Sequence, residues 1–237
     1  MIMLDEILRE YGELLSSVDR WFSRSMRAAG EAVSCAKGCC GCCRGLFDIT
    51  LMDACFLKRG FDRLPPGVRM AVRDRALKRL DGLKSVRPGL EQPYVLNIWP
   101  EDEWEPLMPD DDETPCPLLG EDGLCLVYDH RPMTCRLHGI PLVDVSGDIF
   151  HDEWCTLNFL GDDPLSMKVL YWEFRDAFEK EILLFHRFTS ILLKEKINEL
   201  DTLIPAAVLI DFDDFDWEGW WRMNAERIRA AGSAARE

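Results

Sequence analysis

Basic residues are in short supply in this chain: 28 Lys+Arg stand against 43 Asp+Glu, a formal net charge of −15. A surface this acidic repels nucleic-acid phosphates and anionic lipid headgroups, and no basic stripe overrides it locally, so neither is expected as a partner. Long apolar runs are also missing. The longest, at 182–185 and 203–210, fall far short of the roughly 20 residues that a membrane span requires. The opening Met-Ile-Met-Leu-Asp-Glu carries acids at once and has no basic n-region or cleavage site, so a secretory leader is not expected and the cytoplasm is. Three signatures of common catalysis are absent as well: a Gly-rich phosphate loop, a G-x-S-x-G elbow and an H-E-x-x-H helix. What the chain does have is cysteine, ten in 237 residues. In a reducing compartment ten thiols do not serve structural disulfides, and metal or redox chemistry becomes the leading explanation.

The scaffold for those thiols reads as helical. Leu4, Ile7, Leu8, Tyr11, Leu14, Leu15, Val18 and Trp21 follow the three-and-four spacing of one helix face, which predicts a helix to about Ala29 ended by Gly30. Short helices are expected at 51–58 and from Pro66 to about Leu83, with Pro suited to a first turn. The proline-rich stretch 85–115 reads as a long loop or crossover, and its acidic run at 110–113 as a solvated face. Segments flanking Gly120-Glu-Asp-Gly123 and Ser146-Gly-Asp148 read as two β-hairpins. Asp163-Pro164 is a cap-and-first-turn pair, and Leu170, Phe174, Phe178, Ile182, Phe185, Phe188 and Leu192 predict one long helix to about Leu200. The acidic, aromatic stretch 211–221 is expected to pack on the core. The fold class is therefore mainly α with small antiparallel β-hairpins (α+β), a metal-stapled helical domain. Residues 1–160 are expected to form a cysteine-cluster metal-binding domain with N-terminal helices, and 161–237 a C-terminal helical extension packed on it.

Cys35, Cys39, Cys40, Cys42 and Cys43 fall within nine residues, among glycines that permit tight turns. Disulfides between neighbours are a poor account, because adjacent Cα atoms lie about 3.8 Å apart, below the range a bridge spans. Cys116, Cys125, Cys135 and Cys155 supply a second group. Zinc sites and cubane clusters each take about four thiolates, so the count admits one site or two. Consecutive residues in extended backbone project to opposite sides, which favours separate ions for Cys42 and Cys43. The spacing Cys35-x3-Cys39-x2-Cys42 equals the cluster loop of radical S-adenosylmethionine enzymes, but Gly41 stands where those have an aromatic residue and the β/α units are missing. A zinc ribbon is disfavoured too, since the downstream cysteines form no C-x2-C knuckle.

Cys35-x3-Cys39-x2-Cys42-Cys43, followed by Cys116-Pro-Leu-Leu and by Gly123-x-Cys125-x-Val-Tyr128-x2-Arg131-Pro132-x2-Cys135-Arg136, resembles the YkgJ-like cysteine-cluster family, the CxxCxxCC domain associated with zinc or iron chelation. The resemblance covers roughly residues 30–155. It implies a metal-binding domain, and because the family includes a flagellin lysine N-methylase with an inferred iron–sulfur cluster, it also admits an enzyme. The extra Cys40 departs from the pattern. The expected metal ligands are Cys35, Cys39, Cys42, Cys43, Cys116, Cys125, Cys135 and Cys155, holding an iron–sulfur cluster, 4Fe-4S before other types, or zinc. Cys40 and Cys55 are expected to be dispensable, Cys55 as a core thiol in an apolar helix. Arg131 and Arg136, with Lys37 or Arg44, can offset thiolate charge, or else form ordinary salt bridges, for instance to Asp129 or Asp144. His138 and His151 read as structural or as donors beside the metal, and His186 as core or surface. The expected role is accessory or redox, against a metal-dependent protein methyltransferase or a structural zinc module whose C-terminal helices bind a protein partner.

Overall fold

The computed structural model describes residues 2–36, 38–109 and 111–234. Helix α1 (Ile2–Ala29) forms where the apolar stripe predicts it. Tyr11, Leu15, Val18 and Trp21 of that stripe are buried, and Gly30 turns the chain at φ +57°, a conformation that an L side chain resists. The stripe packs on helix α6 (Phe174–Leu192). There Trp21 meets Phe174 edge-on at 4.8 Å, while its Nε1 donates to the Leu170 carbonyl at 2.8 Å. Buried indoles keep such a partner because an orphaned N–H is costly.

Strand β1 (Asp48–Thr50) leads directly into helix α2 (Leu51–Phe61), whose N-cap Thr50 accepts from the Asp53 amide. Helix α3 (Pro66–Val86) starts on the predicted proline. The proline-rich stretch that follows is irregular, with one short helix α4 (Glu101–Trp104) between 3-10 turns. In the acidic run, Asp112 pairs with Arg79 of α3, Asp111 and Glu113 are exposed, and Asp110 lies outside the described residues. Helix α5 (Met133–Leu137) carries Cys135. Strands β2 (Leu142–Val143) and β3 (Ile149–His151) form the second expected hairpin.

The first expected hairpin is reduced to a turn: Leu119 and Cys125 form one isolated antiparallel bridge, and the chain then enters a 3-10 turn at Tyr128–His130. The other two-stranded sheet is no hairpin. In it β1 pairs antiparallel with β4 (Asp201–Leu203), Ile49 opposite Thr202, across some 150 residues of chain. The apolar run 203–210 continues through helix α7 (Ile204–Ala207) and is wholly buried. Helix α8 (Trp217–Ala234) closes the chain, and the acidic aromatic stretch before it packs as expected: Phe212 stacks on Trp217 at 5.5 Å, and Asp213 pairs with Arg59 of α2.

The long helix expected from Asp163 to about Leu200 is corrected to a shorter one. Asp163 does cap, accepting from the Leu165 amide, but only a 3-10 turn. Trp172 is extended, donating its N–H to the Val143 carbonyl, and the Asp144 carboxylate accepts from the Arg175 amide, so the hairpin decides where α6 begins. At the far end Leu193 caps the helix and Lys194 turns at φ +59°. None of the helices among the described residues is long and apolar enough to cross a membrane.

A buried carboxyl, Asp53, and a half-buried one, Glu181, couple α1, α2 and α6. Tyr11 donates its hydroxyl to Asp53 at 2.8 Å and to Glu181 at 3.2 Å. Burial pushes Asp53 up to about 6, and burial followed by the Asp53 charge pushes Glu181 up to about 8. Both carboxyls bind protons more tightly folded than unfolded. Their contribution is therefore complete below the ordinary carboxylate range and is lost as pH rises toward 8. Glu181→Gln keeps the acceptor and removes the charge. Its melting temperature should exceed the parent's at pH 8, with the gap closing toward pH 4.5, when thermal unfolding is followed across that range. A constant gap would place the effect in packing.

Candidate metal centre

The cysteine loop is built from successive tight turns. The Cys39 amide donates to the Ala36 carbonyl at 2.9 Å and the Cys43 amide to the Cys40 carbonyl at 3.0 Å. Beyond the loop the chain pairs with a distant segment. Arg44 bridges antiparallel to Pro115, Gly45 N donates to Thr114 O, and Cys116 N donates to Cys43 O at 2.9 Å. Gly45, at φ +77°, allows this approach, since a Cβ there would sit 3.1 Å from the Asp112 carbonyl. Gly123 does the same on the other side, with a Cβ position 3.2 Å from Gly38 O. The loop at 38–45 and the segment at 114–125 are thus joined, as the spacing of the cysteines implies.

The downstream thiols are influenced by backbone amides. The backbone N–H groups of Leu118 and Leu119 lower the Cys116 pKa and that of Val127 the Cys125 pKa, against the larger effect of burial, while the Leu119 amide donates to the Cys116 carbonyl at 3.0 Å. Such N–H donors favour thiolate. Cys135 is enclosed on α5, where burial raises its pKa, and Cys116 is pushed up to about 11 by the same cause. The Cys43 thiol stands near Cys116, Cys125 and Cys135, and its pKa is lowered because the adjoining Cys42 donates to it. Upstream, the Cys35 sulfur accepts from Asn158 Nδ2 at 3.5 Å and has Cys155, Cys39 and Cys42 as neighbouring thiols. Among the described residues, no three of His, Cys, Asp and Glu lie close enough together to hold a metal ion as they stand.

Arg136 is buried and pairs with Asp19 of α1, while its Nε and Nη2 donate to the carbonyls of Arg131 and Asp129. Arg131 lies over the Tyr128 ring at 3.7 Å, reaches Asp19 at 3.5 Å and brings positive charge toward Cys42, Cys125 and Cys135. Both arginines therefore make salt bridges, to Asp19 and not to Asp129 or Asp144, and stand beside thiols as well. Arg44 is exposed and faces Glu113, and Lys37 lies outside the described residues.

The remaining candidates sit apart. Cys55 is enclosed in α2, its thiol pushed up to about 12 by burial, and Cys40 offers its carbonyl to the turn. His138 packs near Phe47, and burial lowers its pKa, with His151 adding to the effect. His130 stacks on Phe56 at 4.9 Å, and His186 meets Asn198 at 2.8 Å. Sequence reasoning missed Asn158, which is buried and ties Ser34 N, Gly139 O and Cys35 Sγ together. A lone Asn seven residues past the end of β3 carries no spacing signal. It also missed Asp19, hidden in the polar face of an ordinary amphipathic helix.

The donor set matches a thiophilic metal: clustered soft thiols, amides that favour thiolate, and guanidinium groups nearby to offset the charge of several thiolates. Protonated, partly buried thiols would release their protons as metal binds. These features suit a cysteine-rich, metal-chelating protein. The CxxCxxCC family model, described as "Putative zinc- or iron-chelating domain", matches residues 34–156, more than half of the chain, and the chain belongs to that family. No curated protein and no solved structure matches it.

The expected ligands and the enclosed Cys55 differ in what substitution should do. Cys42→Ser and Cys125→Ser replace a soft thiolate by a hydroxyl of similar size, so metal per chain in anaerobic preparations should fall in each. Cys55→Ser should keep the parent's metal content. Loss in Cys55→Ser with retention in the other two would overturn the assignment.

Proposed function

We propose that the protein holds iron–sulfur of the 4Fe-4S type, four thiolates to each cluster, with its ligands drawn from Cys35, Cys39, Cys42, Cys43, Cys116, Cys125, Cys135 and Cys155, in an accessory or redox role in the cytoplasm. The observation that carries this reading is the junction of the cysteine loop with Thr114–Cys116, which joins the two cysteine-bearing segments by backbone hydrogen bonds. The radical-enzyme spacing of Cys35, Cys39 and Cys42 favours a cluster over a single ion. Zinc is the second reading, supported by the family description and by the sufficiency of four thiolates for a tetrahedral ion. When bound, such a centre supplies electron transfer or, with an open iron, a site for a cofactor.

The chain's own residues then have definite tasks. Backbone amides of Leu118, Leu119 and Val127 favour thiolate, Arg131 offsets negative charge, and Asp19 positions both arginines. On this reading residues 1–160 form the metal-binding unit, with α1 as its support, and 161–237 the helical extension. A protein partner would engage the C-terminal helices, where Ile182 and Leu183 of α6 are exposed.

Anaerobically purified protein should be brown and contain iron with matching acid-labile sulfide. Colourless protein containing zinc would select the zinc reading, and protein without either would contradict both. Because metal binds only the folded site, stripping it should lower the melting temperature, by the equivalent of about 4 kcal/mol where metal had stood at 1,000 times its dissociation constant. An unchanged melting temperature would mean that the centre does not support the fold.

A further inference from the structure

A groove of about 830 Å³ lies between the second half of α1 and the start of α6, a size within the range of small-molecule sites. On its α1 side, Arg20, Arg24 and Arg27 follow one another at spacings of four and three, so one edge of the helix carries three guanidinium groups. Like charges so placed repel, and none of the three is neutralised. Among the described residues the ion pairs of α1 run instead through Asp5, Arg9, Glu10 and Asp19. In a chain of net charge −15 this row is a local exception.

The facing wall carries Glu173, Asp176 and Lys180, which form no ion pair among the described residues either; the pairs of α6 use Arg175 and Arg187. The carboxylates therefore stand beyond salt-bridge distance from the guanidinium row. Opposite charges that share one groove without meeting leave a gap suited to a ligand with both acceptors and donors of its own. Between them Trp172 supplies a flat apolar surface. Its half-buried indole stacks on Trp21 at 5.9 Å, and Phe174 meets it edge-on at 5.2 Å. The backbone beneath is fixed at both groups, since the Trp172 N–H donates to Val143 O at 3.1 Å and its carbonyl accepts from Val145 N at 3.1 Å. Arg24 Nη2 also donates to the Tyr171 carbonyl at 3.3 Å, which ties the row to the segment that presents the indole. A ring held this way loses little freedom when a second ring stacks on it.

We propose that this groove binds a nucleoside phosphate, with phosphate oxygens on Arg20, Arg24 and Arg27, ribose hydroxyls on Glu173 and Asp176, and the base against Trp172. Guanidinium forks match phosphate oxygens in pairs, carboxylates accept from sugar hydroxyls, and an indole stacks on any base. A plain anion would leave the two carboxylates facing its charge, and an uncharged apolar ligand would leave the guanidinium row unpaired, so each fits less of the lining. Asp19 also lines the groove, but its charge is taken by Arg136 and Arg131. Through that carboxylate the groove adjoins the arginines that stand beside the thiols. The proposal does not depend on metal binding.

The test is isothermal titration calorimetry of the anaerobically purified full chain with ADP, without divalent cations, with adenosine and inorganic pyrophosphate titrated in parallel. A single saturable ADP site per chain is expected. Adenosine and pyrophosphate should each bind at least about tenfold more weakly, because each keeps only part of the contacts. Arg20 and Arg27 are exposed and are not part of the ion-pair framework of α1, so the double variant Arg20→Gln, Arg27→Gln should melt with the parent. It should nonetheless bind ADP about a hundredfold more weakly and adenosine as the parent does. No saturable ADP binding at millimolar concentration would overturn the proposal. So would adenosine or pyrophosphate binding as tightly as ADP, or ADP binding undiminished in the double variant. None of these outcomes touches the metal-binding reading, which the metal content of the same preparation decides.

Discussion

Everything in the thiol-rich region depends on one short stretch of antiparallel backbone. Cys116 donates to Cys43 and Gly45 to Thr114, fastening a loop rich in glycine to a segment some 70 residues downstream. The downstream segment is also held to α3, where Arg75 donates twice to the Pro117 carbonyl and Arg79 pairs with Asp112. A loop with so few apolar side chains buries little surface, and the entropy of ordering it must be offset by backbone pairing and by the ions that its thiols attract. This explains why glycines appear where the two backbones meet at close range, at 45 and 123.

The second constraint comes from outside the segment that the family model covers. Helix α1 presents Asp19 to Arg136 and Arg131, and Tyr11 to Asp53, whose carboxylate in turn accepts from the Met133 amide at the start of α5. The first helix thereby sets both the arginines that face the thiols and the helix that carries Cys135. Its apolar stripe is satisfied by α6, and the extension reaches the rest of the chain through α1, through the Asp144 cap, and through β4 and α7, which pair with β1 and pack on α2 and α3. A change in α1 would be felt at the thiols through charge, and one in α6 through packing.

Much of this was legible in the sequence, for physical reasons that differ from part to part. The stripe of α1 shows because a helix buried on one face must repeat every three to four residues, and the thiol clusters show because no core requires five cysteines within nine positions. Cys55 was identified as a core thiol from its apolar helical context. The start of α6 was not legible: it is set by Asp144 and Trp172 in space, while Asp163-Pro164 offers a local cap that the chain uses only for a 3-10 turn. The pairing of Asp48–Thr50 with Asp201–Leu203 was hidden by distance along the chain, and Asn158 by the absence of any spacing. Local signals report what neighbours in sequence dictate. Tertiary contacts decided the rest.

The central claim is that thiolates alone hold the metal. X-ray absorption at the iron and zinc edges of anaerobically purified protein tests it most directly, because the first shell reports ligand type and distance. The account predicts a shell of sulfur at about 2.3 Å. A shell dominated by nitrogen or oxygen at about 2.0–2.1 Å would contradict it and move the site to the histidines and carboxylates.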